Sequence, residues 1–394
     1  MTKYTLRPYQ KEAVEIGLKV LKSKKISRGY ISIPTGGGKS LIIAEIIRRL
    51  GEPVCIFQPS KELLLQNIDK YRRVCGNDAL GTAFSASAKE KVISPATFAT
   101  IGTAVNEPEA FKHFRYFIID ECHLVPPEED SMYDRFFAAN GDFSAIGLTA
   151  TPMRLKPYPY EGCSKLVMLH RSRPRFFSHL VYAVQNSDMS EFWPKIKYVH
   201  FGFDSKVLEM NSTGRDFTEK SLAEAMILNE TLIKIRNLVN DRLAPSKVKN
   251  SLIFVRDIEE ALALSEAIPN SAVIHSKMKI KDRPKVINDF EAGRVRWLIN
   301  VGILTIGYDF PGLESIILGR KTASLALYEQ MIGRLLRGDV EQNVYVIDFV
   351  GNYNTFGPVE GLKIGEKYGK TEIFNSAGKV LTGVPIGVPN YARK

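Results

Sequence analysis

Short apolar runs recur along the chain, separated by longer segments whose apolar residues return every three or four positions. In the first half the runs fall at residues 29–33, 54–57, 91–93, 114–119 and 145–148. In the second half they fall at 251–255, 272–275, 297–301, 315–318 and 343–349. Most lack apolar–polar alternation, the pattern of strands covered on both faces of a parallel sheet. Helical periodicity lies between them, for example over 40–50, 258–268 and 281–291. Two such series in one chain predict an α/β protein with two parallel-sheet domains in tandem.

The stretch between the series is different. It holds Pro157, Pro159, Pro174 and Pro194, and a basic cluster, His170-Arg171-Ser172-Arg173-Pro174-Arg175. It reads as a basic connector over residues 153–201, with a short helix near 176–185. Beyond Phe349 the chain becomes glycine-rich and loses its period. The expected division is a first domain at 1–152, the connector, a second domain at 202–350, and a C-terminal tail at 351–394 with little core of its own.

The 394 residues are 44% hydrophobic and 25% charged, ordinary for a globular protein. No apolar run approaches the roughly 20 residues of a membrane span. The start, Met1-Thr2-Lys3-Tyr4, leads into a polar amphipathic segment. The expectation is a cytoplasmic protein without a membrane partner, in a bacterium or, if phage-encoded, its host. Cys55, Cys75, Cys122 and Cys163 form no CxxC pair, which argues against a zinc ribbon. The net charge of +11 points toward a polyanion only in company with motifs.

Those motifs are present. Pro34-Thr35-Gly36-Gly37-Gly38-Lys39-Ser40 follows an apolar run and opens a helical segment. In that context glycines turn backbone N–H groups onto phosphate oxygens, and the lysine places a charge on the β and γ phosphates. Ser40 is the candidate ligand of Mg²⁺. Ile33 stands where the generic phosphate loop has its first glycine. The run 117–119 ends in Asp120-Glu121-Cys122-His123. Two adjacent acids at a strand's carboxyl end sit where α/β sheets bind ligands. Asp120 is suited to hold hydrated Mg²⁺ through water, and Glu121 to orient and polarise the attacking water.

With these residues in hand the chain resembles the DEAD/DEAH-type helicases of superfamily 2, over roughly residues 4 to 355. Leu6-Arg7-Pro8-Tyr9-Gln10 looks like the family's adenine-recognising motif, which implies nucleotide contact by Arg7 and Gln10. Gln58-Pro59-Ser60-Lys61-Glu62-Leu63 resembles the strand-contacting motif Ia, and Leu148-Thr149-Ala150-Thr151-Pro152 resembles motif III. Asn300 to Pro311 resembles motif V, which implies Thr305 on a strand phosphate, Gly307 near the nucleotide and Asp309 on the ribose. Tyr328 to Arg337 resembles motif VI, which implies Gln330, Arg334 and Arg337 at the γ-phosphate. The two arginines, three apart, fall on one face of a predicted helix. The RadD-like bacterial DNA-repair ATPases share the Leu-Arg-Pro-Tyr-Gln start, the Asp-Glu-Cys-His box and an end like Ile347-Asp348-Phe349-Val350-Gly351-Asn352, and a small phage branch-migration helicase would also look like this. No cysteine follows Cys163 to supply the zinc region of the RadD-like proteins.

The resemblance implies two RecA-like motor domains, ATP with Mg²⁺, and a DNA partner that is single-stranded, forked or branched. RNA helicase, non-unwinding duplex translocase and non-catalytic DNA-binding scaffold are the alternatives. A motor that crosses any sequence must hold the backbone, and Pro59, Lys61, Thr97, Thr100, Arg256 and Thr305 are the candidate contacts.

Overall fold

The computed structural model describes residues 5–76, 79–158, 163–246, 248–304, 310 and 312–387. In chain order, the first series is α1 (Pro8–Leu21), β1 (Arg28–Ser32), α2 (Lys39–Leu50), β2 (Val54–Phe57), α3 (Lys61–Cys75), β3 (Gly81–Ser85), β4 (Glu90–Lys91), β5 (Ala96–Ala99), α4 (Ile101–Ala104), β6 (Tyr116–Asp120), α5 (Met132–Asn140) and β7 (Ser144–Thr149). Four strands follow: β8 (Met153–Pro157), β9 (Ser164–Met168), β10 (His179–Ala183) and β11 (Lys195–His200). The second series is α6 (Glu219–Leu228), α7 (Thr231–Leu238), β12 (Ser251–Phe254), α8 (Ile258–Ala267), β13 (Ser271–His275), α9 (Arg283–Glu291), β14 (Trp297–Val301), β15 (Ser315–Leu318), α10 (Leu325–Ile332) and β16 (Asn343–Asp348). The chain continues with α11 (Asn352–Phe356), β17 (Lys363–Lys367), β18 (Lys370–Phe374) and β19 (Pro385–Ile386).

Contacts divide the chain into two units. The first runs to Met153 and takes in Met168–Gln185; the second holds Arg154–Val167 and everything from Asn186. The first unit's sheet has the order β10-β1-β7-β6-β2-β5-β3-β4, and the second's β11-β16-β15-β12-β14-β13. Apart from the β3–β4 pair, the pairings in both sheets are parallel. Strands such as Val54–Phe57 and Ser251–Phe254 are buried at every position, as their unalternating apolar runs predict.

Three expectations are corrected. The run 91–93 is not a buried strand: only Glu90–Lys91 pairs, exposed at the sheet edge, and the buried strand is Ala96–Ala99. The expected helix near 176–185 is β10, because His-Leu-Val-Tyr-Ala adds in parallel to the edge of β1, with Gly29 opposite His179. The segment 153–201 is therefore not a separate connector. It gives β10 to the first sheet, β11 to the second, and β8 and β9 to a three-stranded sheet with β19. The tail, expected to have little core of its own, belongs to the second unit, and its Phe356, Val359, Leu362, Ile373 and Leu381 are buried.

One face of the first sheet packs on a block of aromatic rings. Phe57 meets Phe136 edge-on at 5.1 Å, and Phe117 meets Phe137 at 4.9 Å. Such pairs contribute about 0.5–1.5 kcal/mol each beyond area burial. They fix β2 and β6, the strands that carry the residues of interest at their carboxyl ends. Among the described residues no helix is long and apolar enough to cross a membrane.

Candidate functional site

Five neighbouring strands of the first sheet, β1, β7, β6, β2 and β5, run parallel and end together. Ser32 lies opposite Thr149, Asp120 opposite Leu148, Phe57 opposite Ile119, and Phe57 opposite Ala99. The register brings to one edge the phosphate loop after β1, Thr149–Thr151 after β7, Asp120-Glu121 on β6, the 58–61 loop after β2 and Thr100 after β5. Four motifs separate in sequence become one site because parallel strands with helical crossovers return each carboxyl end to the same side.

The phosphate loop needs glycine at two positions. Gly36 and Gly38 have φ of 78° and 79°, a left-handed conformation that L side chains rarely adopt. A Cβ on Gly38 would lie 2.4 Å from Gln10 Nε2. That nitrogen donates to the Gly37 carbonyl at 3.0 Å, and the Tyr9 hydroxyl donates to the same oxygen at 3.2 Å. The Gln10 Oε1 accepts from the Arg7 backbone at 2.9 Å, and Arg7 Nη1 donates to the Tyr9 hydroxyl at 3.2 Å. Gln10, expected to read an adenine edge, is buried with both ends of its amide engaged inside the protein. What it does in this geometry is brace the loop. Thr35 lies half-buried within the loop, and Lys39 and Ser40 open α2.

Lys39 Nζ lies 3.4 Å from Glu121 Oε1. Ser40 Oγ accepts from Lys70 Nζ at 3.3 Å. Asp120 is buried and doubly held: Asn67 Nδ2 donates to Oδ2 at 3.0 Å, and the Glu121 backbone donates to Oδ1 at 3.0 Å. Burial, reinforced by the neighbouring Glu121 charge, pushes its carboxyl up to about 6, against the opposing pull of Lys39 and Asn67. Two acids and a hydroxyl are hard oxygen donors, and a cation would relieve the repulsion that raises Asp120, so the residues fit Mg²⁺. Glu121 has φ 46° and ψ 49°, left-handed backbone at a bulky residue, which concentrates strain at this carboxylate. His123 Nδ1 is 2.8 Å from Thr149 Oγ1 and 3.5 Å from Glu121 Oε2. Thr149 Oγ1 also accepts from the Thr151 backbone at 3.0 Å. The acid pair is thus joined through one imidazole to the Thr-Ala-Thr segment.

Asn67 and Lys70 escaped the sequence reading, and Tyr9 stood in its motif without a role of its own. For Asn67 a signal existed: it interrupts the buried stripe Leu64, Ile68, Tyr71 of α3, where an unpaired amide would be costly.

The candidate strand contacts separate. Pro59 is exposed and Lys61 half-buried at the start of α3, capped by Ser60, which accepts from Leu63 at 3.3 Å. Thr100 follows β5, its hydroxyl 3.1 Å from Ser85 Oγ and 3.0 Å from Thr103 Oγ1. Thr97 is not a strand contact: it is fully buried in β5, closing a turn with Ser94 at 2.8 and 2.9 Å. Arg256 is likewise corrected. Its guanidinium binds Glu260 at 3.0 Å and Asp257 at 2.7 Å, so its charge is committed at the start of α8. In the basic cluster, Arg173 and Arg175 donate to the His170 carbonyl at 3.2 and 2.8 Å, which gives them a role in holding their own turn.

In the second unit the carboxyl end of β14 leads into the motif V segment. Asn300 is buried and its Oδ1 accepts from Leu304 at 3.0 Å, shaping the turn. Thr305, Gly307 and Asp309 lie outside the described residues. Gln330 is on α10, but Arg334 and Arg337 are not on its face. The helix ends at Ile332, and Leu335 bonds three residues back to Ile332 at 2.8 Å, so the arginines ride on consecutive turns. Arg334 is buried, with Nε on the Gln330 carbonyl at 3.3 Å, and Arg337 is half-buried.

Two RecA-like domains in tandem, the first with a braced phosphate loop facing a strand-end acid pair, define the phosphate-loop class of nucleotide-binding folds. Residues 3–154 match the family model "Type III restriction enzyme, res subunit", and 231–339 match "Helicase conserved C-terminal domain". The chain is 24% identical over 368 residues to a Saccharomyces cerevisiae protein carrying the name ATP-dependent helicase IRC3, covering 88% of this chain and 51% of that one. It is 24% identical over 361 residues to the DNA 3'-5' translocase XPB2 of Sulfurisphaera tokodaii, covering 85% and 79%. The fold is similar to that of the ATP-dependent Type ISP restriction-modification enzyme LlaBIII bound to DNA, with TM-score 0.63 and 16% identity, over 89% of this chain and 28% of that one. The chain belongs to the superfamily 2 helicases of the DEAD/DEAH type. It spans about half the length of the yeast relative.

Proposed function

We propose that the chain hydrolyses ATP to translocate on DNA and to unwind or remodel forked or branched structures. The observation that carries this reading is the convergence of Lys39, Asp120 and Glu121 at one sheet edge, with Lys39 3.4 Å from Glu121. The net charge of +11 and the DNA-acting names among the relatives support DNA as the track.

Lys39 and the 36–38 backbone would take the β and γ phosphates of ATP, with Thr35 beside them. Ser40 and, through water, Asp120 would hold Mg²⁺, which supplies charge neutralisation on the phosphates. Glu121 would accept a proton from the attacking water, and His123 would report its state to Thr149. Arg7 would support the nucleotide end of α1. Gln330, Arg334 and Arg337 of the second unit would complete phosphate recognition, with Arg337 as the arginine that stabilises the transition state, a role worth ~10³–10⁵ in rate. Gly307 and Asp309 would contact the nucleotide, while Pro59, Lys61, Thr100 and Thr305 would hold the strand backbone.

ATP turnover measured with no nucleic acid and with single-stranded, duplex, forked and RNA ligands tests the reading. Strong stimulation by DNA, greatest with forked DNA, is expected. Equal stimulation by RNA would move the assignment to an RNA motor, and stimulation by none would overturn it.

A further inference from the structure

β17 and β18 form an antiparallel hairpin in which Lys363 faces Phe374 and Lys367 faces Lys370, joined by Tyr368-Gly369. Its base is well held. Ile373 and Leu381 are buried, and the Ile373 backbone donates to Thr382 Oγ1 at 2.9 Å. The Thr382 hydroxyl donates to the Glu372 carboxylate, and Gly383 donates to the Leu166 carbonyl of β9 at 2.8 Å.

The tip carries three features that the fold itself does not reward. Tyr368 has φ +52° and Gly369 φ +68°, as a two-residue turn of the primed type requires. That first position favours asparagine or aspartate, and a bulky aromatic there is strained. Tyr368 is also 91% exposed, more than any other large apolar side chain among the described residues. The two lysines directly opposite one another repel. Glu366 is the nearest carboxylate in the hairpin strands and lies one residue further from the tip.

We propose that the Lys367-Tyr368-Gly369-Lys370 tip is a binding site for single-stranded nucleic acid, with an unpaired base stacked on the Tyr368 ring and flanking phosphates on Lys367 and Lys370. A projecting ring offers a π-face to any base, and a rigid turn holds it out from the hairpin. Lys367 Nζ already sits 5.6 Å from the ring centroid, so ring and cation act at one place. Paired lysines suit a polyanion, and phosphates relieve their repulsion. The inference rests on the reading of the chain as a nucleic-acid motor and adds a site outside the motor motifs.

The test is equilibrium binding of a labelled oligothymidylate and of an abasic strand of equal length to the full chain. Tyr368→Ala should weaken oligothymidylate binding about tenfold and leave the abasic strand unchanged, while Tyr368→Phe should bind as wild type. The Lys367→Ala/Lys370→Ala double variant should weaken both strands and flatten the salt dependence. Tyr368→Asn should raise the melting temperature while losing oligothymidylate affinity, since asparagine tolerates the turn. Wild-type oligothymidylate affinity in Tyr368→Ala overturns the proposal and leaves the motor reading standing; the same affinity in the lysine variant too points to a protein partner. Equal loss on both strands also overturns stacking. If the wild type binds neither strand, the proposal and the motor reading fall together.

Discussion

Lys39 Nζ lies 3.4 Å from Glu121 Oε1, with side-chain exposures of 15% and 21%. The two groups assigned to phosphate binding and water activation therefore compete for each other. Any phosphate that takes the lysine releases the carboxylate toward water. Glu121→Gln should retain ATP binding, tightened by a small factor because a partly exposed pair contributes up to about 1 kcal/mol. Its hydrolysis should fall by ~10²–10⁴, the usual weight of a general base. Nucleotide titration and single-turnover rates check both; a normal rate, or failure to bind ATP, contradicts the assignment.

Lys39→Ala should abolish turnover without unfolding the chain, since Lys39 opens α2 and alanine is the best helix former. Circular dichroism and melting temperature should match wild type while steady-state hydrolysis falls to background. Wild-type turnover would remove the phosphate loop from the account.

Asn67 is a positioning residue for Asp120. Asn67→Leu keeps the α3 stripe apolar and removes the 3.0 Å hydrogen bond. The Mg²⁺ concentration for half-maximal turnover should rise about 10–100-fold, as for partners that orient metal ligands. An unchanged Mg²⁺ profile would show that Asp120 needs no such support.

Glu329 supplies a pH prediction. Its carboxyl is buried, with Oε2 lacking a hydrogen-bond partner, and burial pushes it up to about 8 against a hydrogen bond from Asn186. A folded-state value above the ordinary 4.5 means its contribution to stability is full below that pH and is lost as pH rises toward 8. Glu329→Gln should lose less melting temperature between pH 5 and 8, by a few degrees. Asp348, Glu260 and Glu360 are also raised by burial, so some wild-type slope should persist. Parallel slopes in variant and wild type would contradict the burial argument.

Arg337 and Arg256 variants should separate turnover from stability. Arg337→Ala should lose stimulated turnover and keep most DNA affinity. Arg256→Ala should lower stability, because it leaves the buried Glu260 without its partner at 3.0 Å, and should leave DNA affinity largely intact. Melting curves and DNA titrations of both variants decide; weakened DNA binding in a fully stable Arg256→Ala would restore the strand role.

The parallel strands and the glycine loop that opens α2 were legible because both depend on local pattern. An unalternating apolar run names a doubly covered strand, and clustered glycines between a strand and a helix name a left-handed turn. Edge strands were not legible. β10 and β11 are half-buried or exposed at every position, unlike the doubly covered strands, and only pairing with β1 and β16 defines them. Arg256 was misread because charge in sequence does not show whether its neighbours consume it: Asp257 and Glu260 do. Arg334 and Arg337 lost their helix because the chain tightens after Ile332, a change that Gly333 alone only hints at.

ATP hydrolysis at the Lys39–Glu121 site should be coupled to nucleic acid. The most direct measurement is steady-state ATP turnover of the wild type against rising DNA concentration, with Lys39→Ala in parallel. Turnover should be low without DNA, rise strongly and saturably with it, and be absent in the variant at any concentration. Turnover indifferent to DNA and RNA alike, or a DNA-stimulated rate that survives Lys39→Ala, would contradict it.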